Sequence, residues 1–186
     1  PSLHARPPVC TLPPPPHQDQ LLTEAAAPAC PAGSEALELA ATLRLAADFH
    51  AFCRGLHDLC VDTFVSAVAT SNTALEVRLR LLLTDRRALD KGNATSSVLA
   101  QDFGRLGLAW KTLNSADPGR KQLCDALDEF LIVRNSHAHG DSPTASATVA
   151  AKQVPSFSFY INRAHTKLDR LAGQIDDEVS KHLATI

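Results

Sequence analysis

The chain has 186 residues, is 45% hydrophobic and 20% charged, and carries a formal net charge of −2. A domain of this length buries a full core without staples, so its composition argues against a disulfide miniprotein, a collagen-like chain or a wholly disordered chain. The near-zero charge argues against a histone-like coat for nucleic acid, but not against an RNA-cutting enzyme that needs only a local basic groove.

The first 33 residues predict a flexible, polyproline-like tail. Nine of the twelve prolines lie in the first 31 residues, and only Arg6, Asp19 and Glu24 carry charge there. Proline lacks the amide donor and clashes with the preceding helical turn. Residues 34–186 predict one helical domain. Ser34 is placed to cap a first helix ending near Thr70, with Leu45, Phe49, Phe52, Leu56 and Leu59 on one apolar stripe and Gly55 a point of weakness. Thr73 and Glu76 fit a capping box. The second helix they open is expected to turn Leu75, Leu79, Leu82 and Leu83 inward and to end at Lys91-Gly92-Asn93. A third helix is expected over 97–113, with Leu99, Phe103, Leu106, Trp110 and Leu113 in register. Asp117-Pro118 is a cap followed by proline at the first helical position. It starts a fourth helix that buries Leu123, Leu127 and Phe130. After a polar stretch over about 142–155, a last helix over 156–184 carries Tyr160, Ala164, Leu168, Leu171, Ile175 and Val179 on one face. No period-two alternation marks a strand. The fold class is therefore all-α, a bundle of about five helices.

The five cysteines, from Cys10 to Cys124, contain no CxxC pair. An odd number so spread reads as reduced thiols of a cytoplasmic protein. No apolar run spans a membrane, and no basic-then-apolar secretory leader is visible.

Chemistry concentrates between Phe130 and Asp141. Leu123, Leu127, Phe130 and Arg134 follow one stripe, so Arg134 stands where a core residue is due. A buried guanidinium needs an acid, a carbonyl or an anion. Asn135, His137 and His139 follow, then Gly140 as a terminator. Arginine clamps phosphate through paired donors, and histidine exchanges protons near neutrality. The alternative is a helix end whose histidines complement the macrodipole.

The segment Leu131-Ile132-Val133-Arg134-Asn135-Ser136-His137-Ala138-His139-Gly140 resembles the signature of the HEPN superfamily, in which an arginine and a polar residue precede a histidine by a short spacer. The resemblance covers about ten residues in motif and residues 34–186 in architecture. It implies a helical homodimer that sets two motifs across a shared cleft. It also implies a metal-independent endoribonuclease, a toxin or phage-defence effector, that cuts RNA through its own 2′-hydroxyl. On that resemblance His139 is general base or acid, Arg134 holds the scissile phosphate and Asn135 orients them. No cofactor or metal is expected, and an antitoxin protein is a candidate partner. One departure concerns regulation: toxins of this family paired with a nucleotidyltransferase carry a tyrosine two residues after the motif histidine, where this chain has Asp141. A different class of function also fits, a HEPN-like module that binds nucleotide or a protein partner without cutting.

Candidate RNA contacts beyond the motif are His137, Arg78, Arg80, Arg86 and Arg87. The arginines form a basic run interrupted by Asp85, and local ion pairs on a solvated face would explain them equally. His50, Cys53, His57 and Cys60 are zinc-type ligands on one helix. Ten residues rise roughly 15 Å, too far for one ion to gather all four. They are expected to flank the apolar stripe.

Overall fold

The structure is a computed structural model that describes residues 31–110, 117–139 and 156–185. Helix α1 runs Pro31–Ala69, α2 Thr73–Thr84, α3 Ser96–Gly104, α4 Pro118–Ala138 and α5 Phe157–Leu183. A 3-10 turn at Ala88–Asp90 lies between α2 and α3, and there is no strand among the described residues. None of these helices is long and apolar enough to cross a membrane. The all-α reading holds. The expected tail lies outside the described residues except at 31–33, which are already helical. Pro31 tolerates the first turn because its missing N–H would have no intrahelical partner there.

Helices α1, α4 and α5 pack on one another and form the centre of the molecule. Phe49, Leu56 and Val65 of α1, Leu127 and Phe130 of α4, and Leu171 and Ile175 of α5 are all buried there. The helix passes Gly55 without interruption. All six residues expected on the inner face of α5 are buried, and Ser156 caps the helix by accepting from the Phe159 N–H at 3.2 Å. Asp117 caps α4 as its sequence implies, accepting from the Gly119 and Arg120 amides. Buried Arg120 joins α4 to α5 through Glu178 at 3.2 Å.

Several expectations fail. Ser34 lies inside α1, which begins at Pro31, and Asn72 rather than Thr73 caps α2, its side chain accepting from the Leu75 N–H at 3.0 Å. The second helix ends at Thr84, not at residue 91, because Arg86 takes φ of 55° and Arg87 turns into the core. Of the four leucines expected inward, only Leu83 is buried and Leu79 half-buried; Leu75 and Leu82 face solvent. The reason is tertiary: α2 packs chiefly against α1, so only a narrow stripe is covered. The third helix ends at Gly104. Gly107 then adopts φ of +92°, a conformation open to glycine, and the Leu108 N–H returns to the Phe103 carbonyl at 3.2 Å. Leu106 and Trp110 stay buried beyond the end of α3, while Leu113 lies outside the described residues.

Candidate functional site

Arg134 lies one turn from the end of α4 and is half-buried, as its place on the stripe suggested. Its Nη1 donates to Asn135 Oδ1 at 3.0 Å. The same oxygen accepts from Asn93 Nδ2, also at 3.0 Å. Two donors on one oxygen fix the orientation of the Asn135 amide. Arginine, asparagine and asparagine therefore form one chain of hydrogen bonds. It ties the end of α4 to the loop before α3. Arg134 Nε is buried without a hydrogen-bond partner among the described residues.

The two histidines differ. His139 ends α4: its main-chain N–H returns to the Asn135 carbonyl at 3.0 Å, and its side chain is exposed. Its side chain is not hydrogen-bonded to Arg134 or Asn135. His137 is half-buried, packs edge-on against Phe157 with centroids 5.1 Å apart, and leaves Nε2 buried without a partner among the described residues. It belongs to the α4–α5 contact more than to open solvent. Gly140 and Asp141 lie outside the described residues.

The basic run does not gather at this site. Arg78 and Arg86 are exposed, and with Leu81, Leu82 and Arg105 they line a shallow groove of about 530 Å³ between α2 and α3. Arg80 is committed to Asp62 and Glu76. Arg87 is 4% exposed, which corrects its place among the RNA contacts. Its Nε and Nη2 grip Asp90 at 3.2 and 2.9 Å, and its Nη1 donates to Asp58 and, at 3.2 Å, to His57 Nδ1. A buried guanidinium survives because three partners replace its water. Arg54 completes the cluster by pairing with Asp90 at 2.9 Å.

The zinc-type residues of α1 are each explained by packing. His50 Nε2 donates to the Leu89 carbonyl at 2.7 Å. His57 is fully buried, with its ring edge on Phe103. Accepting from Arg87 at Nδ1 places the proton of its neutral form on Nε2. Burial, then the Arg87 charge, pushes its pKa below the ordinary histidine value. Cys53 and Cys60 are buried thiols raised by desolvation, Cys60 to about 11, so both stay protonated and unreactive at neutral pH. Among the described residues no group of three or more His, Cys, Asp or Glu side chains is arranged to hold a metal.

Asn93 is the residue the sequence did not single out. It stood in a Lys-Gly-Asn run that read as a helix stop, and its partner is 42 residues away. Asp102 is a second. Fully buried, it accepts from the Ala88 and Leu89 amides at 2.9 and 2.7 Å and so holds the turn that positions Asn93. No family model, no curated protein and no solved structure matches the chain.

Proposed function

We propose that the chain is a metal-independent endoribonuclease of the HEPN type, acting through Arg134, Asn135 and His139. The observation that carries the reading is the bonded set at the end of α4. Arg134 is held by Asn135, and Asn135 by Asn93, beside a histidine open to solvent. A guanidinium fixed in this way serves a phosphate, because its orientation is set before the ligand arrives. In the reaction, the RNA 2′-oxygen attacks phosphorus and the 5′-oxygen leaves. One His139 takes the 2′-hydroxyl proton, and His139 of a second copy gives a proton to the leaving oxygen. The product ends in a 2′,3′-cyclic phosphate. The nucleophile belongs to the RNA, so the protein supplies only charge and proton transfer. In the cell the reading is a cytoplasmic toxin or phage-defence effector restrained by an antitoxin protein.

The test is cleavage of total RNA by purified protein in EDTA. Wild type is expected to leave cyclic phosphate ends. His139→Ala is expected to lose about 10²–10⁴-fold in rate, and Arg134→Ala a similar amount. If wild type binds nucleotide but never cuts, the chain is a binding module instead. Equal cutting by wild type and His139→Ala removes His139 from the chemistry.

A further inference from the structure

Helix α2 has two apolar faces, and the fold uses one. Leu79 and Leu83 face α1. Val77, Leu81 and Leu82 stand 61%, 64% and 65% exposed on the other side, with Leu75 beside them. A concentration of large apolar side chains on a 12-residue helix marks a surface meant to be covered. Ala74, Val77, Arg78, Leu81, Leu82 and Asp85 recur at i, i+3, i+4, i+7, i+8 and i+11, the spacing of a face that meets another helix.

The charges on this face say what covers it. Arg78 and Asp85 lie within the stripe, three residues outside Leu81 and Leu82 respectively. We propose that a second copy of this chain docks here, its α2 antiparallel to the first, with the two-fold axis between Leu81 and Leu82. Each Leu81 then packs on the partner's Leu82, and each Arg78 meets the partner's Asp85. The same patch thus satisfies itself, as a two-fold interface requires. A lipid surface or an unrelated apolar helix would cover the leucines but has no reason to match one positive and one negative charge placed symmetrically about them. Both charged groups are ready for the role. Arg78 has no ion-pair partner among the described residues, and Asp85 has only exposed Arg86, at 3.7 Å. Arg105 holds the main chain beneath by donating to the Asp85 carbonyl at 2.9 Å and to the Leu82 carbonyl. The inference stands on α2 alone and does not depend on the nuclease reading.

Sedimentation equilibrium of the full chain tests it, with circular dichroism to show that each variant folds. Wild type is expected to dimerise, and Leu81→Glu with Leu82→Glu to be a folded monomer. Arg78→Asp alone and Asp85→Arg alone set like charges together and are expected to weaken the dimer at least about tenfold. The double variant, Arg78→Asp with Asp85→Arg, is expected to recover it. A monomeric wild type, a dimer that survives the two glutamates, or a double swap no tighter than the single swaps would each overturn the proposal.

Discussion

Asn93 and His57 show how single side chains set this molecule's chemistry. Asn93 touches no expected ligand, but it holds the oxygen that orients Arg134. On the proposed nuclease reading, Asn93→Ala is expected to lower RNA cleavage about tenfold while costing only about 1 kcal/mol of stability, the worth of one hydrogen bond. Steady-state kinetics beside a urea melt would separate the two effects; unchanged kinetics would reduce Asn93 to a structural contact. His57 makes the fold sensitive to acid. Its folded pKa is depressed, so below its ordinary 6.5 the unfolded chain takes up a proton that the folded chain refuses. Stability is therefore expected to fall as pH drops from about 6.5 toward that lowered value, and His57→Gln should flatten this part of a melting-temperature profile. A second decline is expected below the ordinary carboxylate range. Asp90 is held low by its hydrogen bond to Arg87, and Glu178 by those to Lys181 and Arg120, and protonation removes both contributions.

At the scale of elements, the segment between α2 and α3 is the device that brings the motif into order. It contains a single 3-10 turn, yet three groups from elsewhere fasten it. Asp102 takes two of its amides, His50 its Leu89 carbonyl, and Asp58, together with the turn's own Asp90, binds the buried Arg87. Asp102→Ala would leave two N–H groups without their acceptor and is expected to cost about 2–4 kcal/mol. Asp102→Asn keeps one acceptor and should cost about half as much. A denaturant series on the two variants would check the order, and an alanine variant as stable as wild type would remove Asp102 from this role. Gly107 has a comparable part at the end of α3. A Cβ there would be strained at φ of +92° and would meet the His182 ring at 3.4 Å. That ring donates to the Leu106 carbonyl at 2.8 Å, tying the end of α5 to the turn.

Across the whole molecule, the apolar centre and the proposed site occupy different layers. The α1–α4–α5 centre is apolar and closed, and Leu171 within it is fully buried. Leu171→Ala is expected to cost about 2–5 kcal/mol through lost burial and the cavity left behind. The polar set of Arg134, Asn135 and His139 stands at the end of α4, where the core gives way to solvent. The free apolar face stands on α2, the helix packed least deeply. A melt of Leu171→Ala beside Leu81→Glu, run at concentrations where the chain is monomeric, would show this layering, with a large loss in the first and almost none in the second.

Local signals in the chain were enough for α4 and α5. Asp117-Pro118 begins α4 because a side-chain acceptor and a residue with no amide suit a first turn. The six inner positions of α5 are buried because their spacing follows the helical period. The placement of Arg134 at a half-buried helix end was legible for the same reason. Long-range contacts were not. Asn93 meets Asn135 across 42 residues, Asp102 meets Ala88 across 14, and no local pattern encodes either pairing. The basic run divides for a tertiary reason. Arg87 is buried because Asp58 and Asp90 are there to receive it, while Arg78, on the same stretch of chain, is left to solvent. Periodicity states which residues share a face. Only packing decides which faces find a partner, because the free energy of burying a face depends on what the rest of the chain sets against it.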